Sequence, residues 1–260
     1  MTIPVLGGFN FPPIDELFRW PFFFLSNTPF AVNKTVLLIL LSVAILTTLF
    51  MVATRNMQLV PGKLQNVAEM GWEFIDRGIV RDVIGPEATG WSPFMATLFF
   101  FILFLNIWEI VPIIQFPPTS RMAVPFYLAL QSYIIMIVVG ITVQGPWRYF
   151  KGSIVPPGVP KVMLVLVVPI EFISKFMVRP FSLSVRLLAN MMAGHILLTA
   201  VALLCAATWT KSIPEAPLLP FLVALNVAVI LFELLVVVLQ AYIFTILTAV
   251  YIAESKHPEH

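Results

Sequence analysis

An all-α protein that crosses a membrane several times is the fold class this sequence predicts, and three observations predict it. Of its 260 residues, 60% are hydrophobic and only 11% charged, against about a quarter charged in soluble domains. Mean hydropathy is +0.97. Several uncharged runs are long enough to cross a hydrocarbon core of ~30 Å. A net charge of +2, with no basic tract or aromatic stacking pattern, argues against a nucleic-acid partner. The single cysteine, Cys205, precludes an intramolecular disulfide. Of three histidines, two (His257 and His260) stand in the polar tail, so no metal cluster is expected. No cofactor motif is present and no cleavable signal is legible at the N-terminus.

The elements follow in order. Residues 1–34 are dense in proline and aromatics, Phe9, Phe11, Phe18, Trp20 and Phe22 among them, which suits an interfacial segment or a packed loop. Residues 35–53 carry no charge and end before Arg55, a first span. In 64–84, Leu64, Val67, Ala68, Trp72, Ile75 and Ile79 share one face. Glu69, Glu73, Arg77 and Arg81 form an i, i+4 polar stripe on another. That pattern predicts an amphipathic helix lying on the membrane interface or against a partner helix rather than a span. Residues 93–114 read as a second span with Asn106 and Glu109 near its far end, closed by Pro117 and Pro118. Residues 122–144 are a third span, and 145–161 a loop carrying Arg148, Lys151 and Lys161.

Two tracts are longer than any ordinary span. Residues 162–208 would measure about 70 Å as one helix, and 217–253 about 55 Å. Either they break, with Pro169, Pro180 and Gly194 able to bend the first, or they run steeply tilted. KSIPEAP (211–217) is the turn that makes them a hairpin. With five spans, Arg55, Lys63, Arg77, Arg81, Arg148, Lys151, Lys161 and Lys256 fall on one side. Only Arg19, Lys34, Arg121 and Lys211 fall on the other. The basic excess belongs inside, so the C-terminus is expected in the cytoplasm and the N-terminus outside.

The hairpin also carries polar groups where they are costly. A charge at a bilayer centre costs at least ~2.5–3.5 kcal/mol. Lysine and histidine can shed that charge, but Arg186 cannot. At 100° per residue, Arg179, Arg186 and Asn190 share a face, and His195 turns to the opposite side. Glu233 and Gln240, seven apart, share a face of the last tract. Taken singly, each has an ordinary reading: interhelical hydrogen bonds for Asn190 and Gln240, a core histidine, a structural salt bridge. Together they place one permanent cation beside two titratable groups, with no nucleophile–base pair or phosphate loop. That points to ion movement rather than catalysis. Glu171, Lys175 and Arg179 read as a surface ion-pair ladder.

RPFSLSVRLLANMMAGH (179–195) and FELLVVVLQAYIFTILTAVYI (232–252) resemble the two signature segments of subunit a of the Fo sector of F-type ATP synthases. NIWEIVPI (106–113) resembles that family's earlier acidic segment. The resemblance implies a multi-pass protein of a bacterial plasma membrane, with the mitochondrial inner membrane as the alternative, partnered by a c-ring, peripheral-stalk b subunits and lipid. It implies no cofactor and no catalytic site in this chain. Arg186 then matches the stator arginine that faces the ring carboxylate, and Asn190 and Gln240 the polar residues beside it. His195 and Glu233 match the acid–histidine pair, with their order reversed relative to some members, and Glu109 an acidic position. The expected mechanism uses two aqueous half-channels that load and unload the ring carboxylate. A proton- or ion-coupled secondary transporter is the alternative, but no inverted repeat or matched pair of broken helices supports it. A purely structural membrane anchor, and an intramembrane enzyme built on His195, are the remaining alternatives.

Overall fold

The computed structural model describes residues 4–5, 9–10, 33–112, 114–154, 161–209 and 218–256. The expectations placed on most of 1–34, on the 211–217 turn and on the C-terminal tail lie outside these residues. A two-residue strand pair, Pro4–Val5 with Phe9–Asn10, precedes the helices. The helices are α1 (Lys34–Thr54), α2 (Lys63–Ile75), α3 (Ser92–Ile107), α4 (Ala123–Gln144), α5 (Pro146–Ile154), α6 (Lys161–Ile173), α7 (Arg179–Trp209) and α8 (Leu218–Lys256). Wider π-helical turns extend α2 over Asp76–Ile84 and join α6 to α7 over Ser174–Val178. Among the described residues, five helical stretches are long and apolar enough to cross a membrane.

α1 starts at Asn33, whose side chain accepts from the Val36 N–H at 3.0 Å. Inside it, Ser42 returns its hydroxyl to the Leu38 carbonyl at 2.7 Å, the usual way a hydroxyl is satisfied within an apolar helix. The same oxygen accepts from Trp108 Nε1 at 2.6 Å, which ties α1 to the turn after α3. That turn is shorter in helix than the sequence suggests. The run expected to span 93–114 leaves the α-helix at Ile107, where i→i−3 bonds from Glu109 and Ile110 tighten the backbone. Gln115 at φ 40° then reverses the chain. Apolarity continues through the unwound stretch, so composition alone could not place the break.

The amphipathic 64–84 segment is helical throughout but is more deeply embedded than an interfacial helix. Its second half buries Ile75, Asp76, Ile79, Val80 and Ile84 among α3 and α8. Leu64, Val67 and Trp72, assigned to the same face, remain exposed. The π-turn changes the period from 3.6 to a wider one, which rotates the buried stripe partway along. Asp76 is held there by the Ser92 hydroxyl and by Arg81 at 2.7 Å.

The tract from 162 to 208 stays helical but loosens into the π-turn just before Pro180. Proline lacks an N–H and its ring collides with the carbonyl one turn earlier, so a widened turn relieves both defects. α7 and α8 lie antiparallel and α4 packs against both. Gly145 at φ +80°, a left-handed conformation that favours glycine, ends α4 by donating to the Ile141 carbonyl at 2.9 Å.

Candidate functional site

The hairpin of α7 and α8 brings the polar residues together in pairs. From one end to the other, Arg179 meets Glu254, Asn190 meets Gln240 and Gly194 meets Glu233. Asn190 Nδ2 donates to Gln240 Oε1 at 2.6 Å, an interhelical hydrogen bond of the ordinary kind read for these amides, with each as the other's partner. Arg179 is ion-paired to Glu254 and also stands 5.2 Å over the Tyr251 ring. It therefore leaves the expected ladder, of which only Lys175–Glu171 remains, at 3.6 Å.

Arg186 is exposed on the outer side of α7 and has no ion-pair partner among the described residues. Ser182, Ala189 and Ala193 share that exposed stripe, with Leu197 further along, so the nearer exposed neighbours of Arg186 on this face are small. His195, about two and a half turns along and so on the opposite face, is buried. Its ring meets the edge of Phe116 at 6.5 Å between centroids. Lys34 Nζ stands 5.6 Å over the same Phe116 ring and donates to the Ile114 carbonyl at 2.9 Å. The start of α1 and the turn after α3 thus close over the histidine side of α7.

Glu109 and Glu233 are 0% and 1% exposed and lie close enough for each to feel the other's charge. Both Glu109 oxygens and Glu233 Oε1 have no hydrogen-bond partner meeting ordinary geometry among the described residues. Glu233 reaches this position because its carboxylate occupies the space that a side chain at Gly194 would fill. Asn106 and Thr119, both fully buried, join across the same turn through a 2.6 Å hydrogen bond from Thr119 Oγ1 to Asn106 Oδ1.

All six residues singled out from the sequence therefore lie on or against the hairpin, five on its two helices and Glu109 on the turn that covers it. Sequence reasoning missed Gly194, read only as a bend, and the Lys34–Phe116 cover. Neither has a local signal, because each matters through a residue far along the chain. A separate cavity of about 820 Å³ lies between α1, α2 and α3, and none of the six lines it. Among the described residues, no group of three or more His, Cys, Asp or Glu side chains could hold a metal ion.

Comparison with known proteins adds an independent line. Residues 36–253 match the family model described as ATP synthase A chain. ATP synthase subunit a of Frankia alni is 38% identical, covering 100% of this chain and 91% of that protein. The subunit a of Rhodococcus erythropolis is also 38% identical, covering 100% and 94%. That of Pseudarthrobacter chlorophenolicus is 40% identical, covering 97% and 95%.

Proposed function

Because the chain belongs to the ATP synthase A chain family and is a multi-pass membrane subunit of an F-type ATP synthase, we propose that it is the stator through which protons reach and leave a rotating c-ring. The observation that carries this reading is Arg186. A permanent cation exposed on a membrane-length apolar helix, with no acidic partner among the described residues, calls for a counter-charge from a neighbouring subunit. A ring carboxylate passing that face supplies it.

The two sides of α7 then divide the work. The outward side, with Arg186 among small residues, faces the ring and favours the ionised form of each carboxylate that passes. Arginine keeps its proton where a lysine could lose it, so the same charge stops protons from crossing directly between the half-channels. The inward side carries His195, Glu233 and Glu109 and lines one half-channel. The two facing carboxyls can hold a proton between oxygens that otherwise lack partners. Asn190 and Gln240, bonded to each other, fix the rotation of the two helices so that the two functions stay on opposite faces. The second half-channel opens from the other membrane side near the Arg179 end of the hairpin. The remaining lipid-facing surface of the chain takes the peripheral-stalk b subunits and lipid. The chain sits in a bacterial plasma membrane with its N-terminus outside.

The test is ATP-driven proton pumping in vesicles carrying the assembled complex, wild type against Arg186→Ala. Loss of pumping with the ring still co-purifying, together with raised passive proton leak, is expected. Unchanged pumping would sink the stator assignment.

A further inference from the structure

Three cations line the arm that leads to Arg186, and they are not treated alike. Lys175 has Glu171 at 3.6 Å, Arg179 has Glu254, and Arg186 has no acidic partner among the described residues. Arg179 precedes Arg186 by seven positions, two turns along the same face and about 10 Å away at 1.5 Å per residue. Tyr251 lies close enough to both guanidiniums to feel their charge. An arginine side chain is long and flexible, and about 10 Å is comparable to the Debye length at ordinary ionic strength, so its charge would not be fully screened. Unpaired, Arg179 would therefore present a second permanent cation to any carboxylate that approaches Arg186. Its partner does not come from the local helix, although Lys175 and Glu171 show that an i, i+4 pair forms there. It comes from α8, at the far end of the chain.

We infer that Glu254 is a masking residue: by pairing with Arg179 it leaves Arg186 as the uncompensated cation that this face offers to the ring. The inference rests on the stator reading above. Glu254 is not a catalytic residue. It acts through Arg179, and its contribution is to keep the attractive charge at one depth in the membrane. Without it a ring carboxylate would be held in its ionised form at two positions along α7, and its reprotonation and departure from this face would slow.

ATP-driven pumping by the assembled complex separates masking from a simple tie between helices. Glu254→Gln is expected to lose most of the pumping. Arg179→Gln alone, and Arg179→Gln with Glu254→Gln, are expected to retain or regain most of it, because no cation is left to mask. A tie predicts the opposite, since all three variants break the same contact and should be impaired together. Equal impairment therefore overturns the masking role, as does normal pumping by Glu254→Gln. If Glu254→Gln fails to assemble, Arg179→Gln still decides: normal pumping supports masking, and loss of assembly or pumping overturns it. Arg186→Ala run in parallel keeps the two readings apart. Normal pumping in that variant sinks the stator assignment itself, whereas its loss beside a normal Glu254→Gln sinks only the masking.

Discussion

Gly194 shows how much one hydrogen atom can settle. A Cβ there would coincide with the Glu233 carboxylate, so the absence of a side chain is what allows that group to sit buried between α7 and α8, facing Glu109. Two opposing magnitudes govern Gly194→Ala. Alanine is favoured over glycine in a helix by about 1 kcal/mol. Overpacking a filled site costs roughly 1–3 kcal/mol. The obstacle is the tip of a flexible side chain, which can swing away, so the cost falls at the low end. The variant should assemble with nearly unchanged thermal stability yet pump protons several-fold more slowly. Co-purification of the ring, a melting curve and a pumping assay check the three parts. Unchanged pumping would mean that the Glu233 position is immaterial. Arg186, Asn190 and Gln240 were legible in the sequence because helical period alone assigns them to faces. Gly194 was not, because its importance comes from a residue thirty-nine positions later.

Pairs of residues govern how elements meet. The Asn190–Gln240 bond, at 2.6 Å, is the direct polar link between α7 and α8 near Arg186. Interhelical hydrogen bonds in membranes average ~0.6 kcal/mol and reach ~1.7. A double-mutant cycle of Asn190→Ala and Gln240→Ala should give a coupling within that range. A coupling indistinguishable from zero would mean that apolar packing alone fixes the helix rotation. Packing is more demanding where α4 meets α5. A Cβ at Gly140 would land inside the Tyr149 ring, which is rigid and buried. Gly140→Ala is therefore expected to destabilise by about 1–3 kcal/mol, read as a lower melting temperature of the solubilised complex. An unchanged melting temperature would show that α5 moves aside freely. The elements themselves were mostly readable, because long apolar runs bounded by charge leave little choice. Their ends and turns were less so. NIWEIVPII keeps its apolarity while the helix stops at Ile107, since the break is made by tertiary bonds from Trp108 to Ser42 and from Thr119 to Asn106. The π-turns are likewise a compromise with neighbours, so the segment buries Ile75 and Ile79 of the stripe its period suggested but leaves Leu64, Val67 and Trp72 exposed.

On the scale of the whole molecule, the first half of α8 has only Asn226 and the buried Glu233 as polar side chains, and Leu231, Phe232, Leu235 and, just beyond, Val238 stay exposed. Such a helix needs lipid or a partner subunit around it rather than water. The proposed mechanism also requires a direction, because the Glu109–Glu233–His195 side must open to one aqueous phase and the Arg179 end to the other. The basic residues supply the direction. Arg55, Lys63, Arg77 and Arg81 follow α1, whereas the 108–122 turn, on the opposite side, carries Arg121 alone. Glu109 should therefore lie toward the outer phase, and Glu254 toward the cytoplasm. The lone cysteine makes this testable: Cys205→Ser gives a background with no thiol, into which Asn56→Cys or Gln115→Cys is introduced. Both positions are exposed, one just past α1 and one at the positive-φ turn. A membrane-impermeant maleimide should label Gln115→Cys in intact cells and Asn56→Cys only in inverted vesicles. The reverse pattern would turn the protein over in the membrane. Glu109, Glu233 and His195 would then line the cytoplasmic half-channel, and protons entering during ATP synthesis would first meet the Arg179–Glu254 end.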